Sequence, residues 1–245
     1  MSDETVVRRE NNVITRMEEI STVEKLFGEF NKVFIRGRTE AEFEYSHEVM
    51  REKFYRTRVI VKRLSGTEDF VPIVVSDLLI GRERMKNLLK GKWVEVAGQF
   101  RSYNKKGEDG RNHLELFLFA TAINIYEDEG ELEETTNANL VYLEGYLCKQ
   151  PVFRNTPLGR HITDFLIAVN RPYEKSDYIP CIAWSRVAQW VSELEIGNRI
   201  KLYGRVQSRE YLKRYSPNSE AGEFREAYEI SVIQIQKVEN LKLEE

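Results

Sequence analysis

The sequence predicts an all-β protein: two tandem five-stranded barrels, each with one helix between strands three and four, plus a short N-terminal helix. Three observations predict it. Period-two apolar runs dominate, helical spacing is confined to one segment in each half, and the halves repeat five landmarks in the same order. The 245 residues suit two units of about 100, each able to bury a core. With 41% hydrophobic and 31% charged residues, the chain reads as folded but heavily charged.

Residues 1–28 are an N-terminal extension, in which VITRMEEISTVEKLFG (13–28) has the pattern of an amphipathic helix. The first unit (29–126) opens with NKVFIRG (31–37) and the second (139–238) with NLVYLEG (139–145), both N-x-V-x-x-x-G. Second strands follow at FYRTRVIVKR (54–63) and HITDFLIAVNR (161–171), and third strands at DFVPIVVS (69–76) and DYIPCIAWS (177–185). The helices are GRERMKNLLKG (81–91) and SRVAQWVSELEIG (185–197); in the latter Val187, Val191 and Leu194 share a face and Gly197 is the stop. GKWVEVAGQFRS (91–102) and GNRIKLYGRVQS (197–208) are the fourth strands, and FATAINI (119–125) and ISVIQI (230–235) lie in the fifth. Gly107 and Gly110 in one unit, and Pro217, Asn218 and Gly222 in the other, mark the loop between the last two strands. This order is the layout of the oligonucleotide-binding (OB) fold. Between the units lies an acidic linker, EDEGELEETTNA (127–138), with six acids and no base; 239–245 is a short C-terminal end.

A net charge of −3 conceals this distribution, since each barrel carries more Lys and Arg than Asp and Glu. No stretch is apolar enough to span a membrane and the N-terminus lacks a signal-peptide core, so a cytoplasmic protein is expected. Cys148 and Cys181, without CxxC spacing, are read as buried thiols, and His47, His113 and His161 as ordinary surface histidines rather than metal ligands. No nucleophile with a base, paired carboxylates or phosphate loop stands out, so the reading is of a non-enzyme that needs no cofactor.

Holding an unpaired strand regardless of sequence needs cations along the backbone path and flat rings for the bases. The second barrel offers Tyr173, Tyr178, Trp184 and Tyr211, with Arg154, Arg171, Arg186, Arg205 and Arg209 among or beside them. Tyr173 and Tyr211, at strand ends beside polar residues, are expected to be exposed; Trp190 and Trp93 are assigned to packing. The first barrel has Phe70 in the place of Tyr178, Tyr103 near the end of its fourth strand, and Arg63 and Arg101 among its bases. The Trp184 position falls near Val75 or Ser76. This barrel is expected to contact phosphate more than base, or to serve assembly.

NLVYLEG, PVFRNTPLG, FLIAVNR, DYIPCIAW and GNRIKLYGRVQSREY run in the order of the bacterial single-stranded DNA-binding protein family, which residues 139–236 resemble throughout. The resemblance implies base stacking at Tyr173, Tyr178, Trp184 and Tyr211, and single-stranded DNA as partner in replication, recombination or repair. It also implies a homodimer that brings four OB-folds together, for which the first strand (31–38 or 139–147) is a candidate pairing edge. At the C-terminus, NLKLEE, the sequence departs from the family, whose members commonly continue to an acidic tip that recruits replication and repair proteins. The alternative is a primosome-type OB-fold adaptor between proteins, with weak nucleic-acid binding; RNA as ligand is a further one.

Overall fold

The computed structural model describes residues 30–63, 65–81, 91–106, 110, 112–126, 139–156, 158–214 and 222–238. The N-terminal helix expected over 13–28, the acidic linker 127–138, the interior of the helix expected over 81–91 and the end 239–245 lie outside these residues, as do Gly107, Pro217 and Asn218.

In the first half the strands are β1 (Asn31–Thr39), β2 (Glu44–Val49), β3 (Glu52–Lys62), β4 (Glu68–Ser76), β5 (Trp93–Lys106) and β6 (Asn112–Tyr126), with helix α1 (Asp77–Ile80) after β4. The second half repeats them as β7 (Asn139–Leu147), β8 (Val152–Asn155), β9 (His161–Arg171), β10 (Lys175–Trp184), β11 (Arg199–Arg214) and β12 (Gly222–Lys237), with α2 (Ser185–Ser192) after β10. β1 pairs with both β3 and β5, β3 with β4, β4 with β6 and β6 with β5, which closes a five-stranded ring. β7, β9, β10, β12 and β11 close the second ring by the same connections. Each half adds one short strand that the sequence reading lacked, β2 on β3 and β8 on β9. Every residue of both is exposed, so neither carries the apolar alternation by which a strand is recognised.

Alternation does place the barrel strands, because successive side chains point to opposite faces. Ile35, Val59, Ile73, Val96, Phe100 and Leu118 fill one barrel and Leu143, Ile167, Ile179, Leu202, Val206 and Ile230 the other, all buried. The N-x-V-x-x-x-G motif is explained at both ends. Asn31 exchanges two hydrogen bonds with the backbone of Phe100 (2.7 and 2.8 Å), and Asn139 does the same with Val206 (both 2.8 Å). The glycines, Gly37 and Gly145, stand where the first strand of each barrel crosses a carbonyl of its partner.

α2 ends at Ser192, five residues before the expected stop. Glu193 and Leu194 donate to the carbonyls of Trp190 and Val191, tightening the last turn, while the Gly197 amide turns away to the Leu147 carbonyl of β7 at 2.8 Å. Val191 and Leu194 are buried as expected, joined by Ala188. Trp190, assigned to packing from sequence, is 38% exposed; Trp93 is half-buried beneath the Arg38 guanidinium, 5.1 Å from the ring centroid. Cys181 is buried and Cys148 half-buried, and burial pushes both thiols above their usual range.

The barrels are joined by the strands that the sequence offered as a dimer edge. β1 and β7 pair antiparallel with each other, Val33 opposite Val141 and Asn31 opposite Leu143, so this edge is consumed within the chain. The result is one continuous sheet with the short strands β2 and β8 at its two ends.

Candidate nucleic-acid interface

Strand parity sorts the candidate residues. On β10 Ile179, Cys181 and Ala183 face the core, so Tyr178, Pro180, Ile182 and Trp184 face outward. Ile182 lies opposite Ser231 of β12, which lies opposite Arg205 of β11; Arg209 and Tyr211 follow outward on β11, with Arg225 opposite Tyr211. Arg154 of β8, opposite Ile162, adds a cation at the other margin, bonded to Asp164 at 2.5 Å. One outward surface of the second barrel thus gathers Tyr178, Trp184 and Tyr211 with Arg154, Arg205, Arg209 and Arg225. Tyr178 and Tyr211 are exposed; Trp184 is half-buried, its indole N–H donating to Ser231 Oγ at 3.2 Å. The Arg209 guanidinium lies over the Tyr211 ring, 5.7 Å from its centroid, and pairs with Glu229 at 3.6 Å.

Tyr173 stands apart from these rings in the turn between β9 and β10, at φ +63° and 93% exposed. A tyrosine held in the left-handed region with its ring in solvent is kept there by the turn rather than by packing. Arg186 is exposed in the first turn of α2.

Four of the selected arginines have a different arrangement. Asp69 and Asp177, both 0% exposed, each lie between two guanidiniums, one from each barrel. Arg63 bonds Asp69 through Nε at 2.6 Å with Arg205 Nη1 3.5 Å away; Arg101 Nη1 is 3.1 Å and Arg171 Nε 3.2 Å from Asp177. The hydrogen bond to Asp69 raises the Arg63 pKa, while burial and then the neighbouring Arg63 lower that of Arg205. The sequence reading assigned these cations to phosphate. The geometry gives them buried carboxylates inside the protein, with their side chains still 22–31% exposed.

In the first barrel Phe70 is covered by Arg58, whose guanidinium is 5.3 Å from the ring centroid and bonded to Glu40 and, across the barrel boundary, to Glu226 at 2.8 Å. Tyr103 is exposed, lies edge-on to Phe117 at 5.8 Å and donates its hydroxyl to Glu115. The counterpart of Trp184 is Ser76, whose hydroxyl accepts from the Leu78 amide at 3.1 Å and caps α1. Beside Tyr103 and Phe117 opens a cleft of about 580 Å³, lined by Arg56 and Arg58 but also by Glu40, Glu42, Glu44 and Glu115. Carboxylates at this density disfavour phosphate there.

Burial, with the hydrogen bond to Glu115 and that carboxylate's charge, pushes the Tyr103 phenol up to about 12. The raised pKa favours the folded state below the ordinary tyrosine value of about 10, a contribution lost as pH rises through the folded value. Urea titrations between pH 9 and 12 are expected to show the native chain losing stability more steeply than Tyr103→Phe. Parallel profiles would assign the phenol no such role.

Sequence reasoning missed Arg225, on the same outward surface and 3.1 Å from His113 of the other barrel, and missed Asp69 and Asp177 as more than landmarks. The signal for the acids was present in the repeat, where each precedes the aromatic of the third strand.

The model of the single-strand binding protein family matches residues 138–238. Single-stranded DNA-binding protein 3 of Listeria innocua is 39% identical over 80 residues, 30% of this chain and 50% of that protein. The single-stranded DNA-binding protein of Thermus aquaticus is 31% identical over 159 residues, 58% of this chain and 60% of that one. These matches span about half the length of the curated relatives. The crystal structure of the wild-type Thermus aquaticus protein superimposes with a TM-score of 0.67 at 21% identity, over 89% of this chain and 97% of that one, and so shares the fold. Residues 138–238 are thus similar to the single-strand binding protein family, and the chain as a whole carries two OB-fold barrels in tandem.

Proposed function

We propose that the protein binds single-stranded DNA without sequence preference, as a non-enzymatic protector of exposed strands in replication, recombination or repair. The observation that carries this reading is the single outward surface of the second barrel with Tyr178, Trp184 and Tyr211 among Arg154, Arg205, Arg209 and Arg225. Rings that stack on any base, set among cations that meet any phosphate, bind a strand and ignore its sequence. Tyr173 extends the path beyond β9, and Arg186 supplies a cation beside Trp184. Arg63, Arg101, Arg171 and Arg205 act first in joining the barrels. With the β1 and β7 edges already paired, the outer strands β2 and β8 and the barrel faces remain for a second copy, giving a homodimer of four barrels.

Anisotropy of labelled oligo(dT) at two salt concentrations tests the reading. The native chain is expected to bind tightly and to weaken as salt rises; Trp184→Ala and Tyr211→Ala each lose on the order of 1–3 kcal/mol, about 5- to 150-fold. Light scattering is expected to give twice the chain mass. Absence of binding at low salt would overturn the reading in favour of an adaptor between proteins, to which the carboxylate-lined cleft of the first barrel would then be the first surface to assign.

A further inference from the structure

Tyr178 lies on a strand that is only partly covered. β12 pairs with β10 at Cys181 and Ile182 and no further toward Tyr178, so beyond those residues one edge of β10 has no pairing strand from its own barrel among the described residues. The first barrel fills the gap. The Tyr178 amide donates to Ser102 Oγ at 2.7 Å, and the Ser102 amide donates to Asp177 Oδ1 at 2.7 Å, a reciprocal pair between residues 76 and 75 positions apart in sequence. Arg101, the neighbour of Ser102, completes the contact on Asp177 Oδ2 at 3.1 Å. The same clasp holds the other barrel: the Phe70 amide donates to Ser208 Oγ at 2.9 Å, and the Ser208 amide to Asp69 Oδ1 at 2.8 Å.

We propose that Ser102 and Asp177 are positioning residues for the stacking ring of Tyr178, so that the first barrel sets the binding surface of the second. The inference rests on the function proposed above. A ring on a strand held by β9 along one edge and by Ser102 on the other meets a base without first being ordered, and the ordering cost is thereby removed from binding. An unpaired strand edge frees the amide to water and lets the backbone beneath the ring move. The division of labour between barrels follows: the first, poor in exposed rings and rich in paired carboxylates, contributes to affinity through the second.

A double-mutant cycle on oligo(dT) affinity tests this. Ser102→Ala is expected to weaken binding about 3- to 10-fold, the range of one hydrogen bond, and Ser102→Thr, which keeps the hydroxyl, to restore it. In a Tyr178→Ala background the Ser102→Ala loss is expected to vanish, whereas in a Tyr211→Ala background it persists in full. Equal losses in both backgrounds would overturn the assignment while leaving the function reading intact. No binding by the native chain would overturn both. Hydrogen exchange of the Tyr178 amide in the unaltered chain is independent of any variant's folding: protection is expected, and exchange at the rate of a free amide would sink the proposal.

Discussion

Replacing Gly37 or Gly145 by alanine is expected to cost about 4 kcal/mol or more, a large part of the whole stability of a domain. A Cβ on Gly37 would lie 2.1 Å from the carbonyl oxygen of Ile60, and on Gly145 2.4 Å from that of Ala168. Neither oxygen can give way, because both belong to strands held in register on the far side of the barrel: Ile60 of β3 is paired with Phe70, and Ala168 of β9 with Tyr178. The conflict is one of space and not of backbone conformation, since the glycines of this chain with positive φ are others. It arises just before Arg38 of β1 pairs with Trp93 of β5 on one side and Ile60 of β3 on the other, and just before Tyr146 of β7 does so with Arg199 of β11 and Ala168 of β9, the points at which each ring closes. Urea denaturation measures the effect. A loss under about 1 kcal/mol would mean that the rings can open there without harm to the rest.

The second large effect is expected at Asp69→Ala and Asp177→Ala, each lowering stability by roughly 3 kcal/mol. Removing one partner of a buried ionic contact leaves the other charge without compensation. Here two guanidiniums, one from each barrel, would face each other across the space of a missing carboxylate. For a chain of this length the melting temperature is expected to fall by about 6–12 °C in circular dichroism. The neutral isostere Asn, which can still accept the serine amide, is expected to cost less. A melting curve for either alanine variant within about 2 °C of the native one would show that the barrels hold together without the buried acids.

The barrel strands were legible because their apolar alternation is local. Val94, Val96 and Phe100, or Ile179, Cys181 and Ala183, can be read from a window of seven residues. The outward placing of Tyr178, Trp184 and Tyr211 was legible for a similar reason, since strand parity turns them from the core, whereas Arg154 lies on β8, a strand without apolar alternation. What the window cannot hold is a contact such as Ser102 with Asp177. Neither residue is unusual among polar neighbours, and only the pairing of β1 with β7 brings their strands together. The same window hides the buried acid beside Arg63, Arg101, Arg171 and Arg205: the sequence offers these cations to phosphate, and only the fold shows Asp69 or Asp177 behind each. Ser76 shows the reverse, a lost ring that made sense once its hydroxyl was found on the end of α1.

The antiparallel meeting of β1 and β7 also bears on how such a chain can change. Were the two barrels separate and identical, every substitution near that seam would occur twice, and a side chain suited to one side would be imposed on the other. Carried on one polypeptide, the halves are released from that constraint. Arg101 beside Gln99 in one barrel answers Arg205 beside Gln207 in the other, with the two residue types exchanged along the strand. Trp184 can remain a ring while Ser76 becomes a cap. The seam preserves the symmetry of the backbone, and the covalent join lets the chemistry on either side of it diverge.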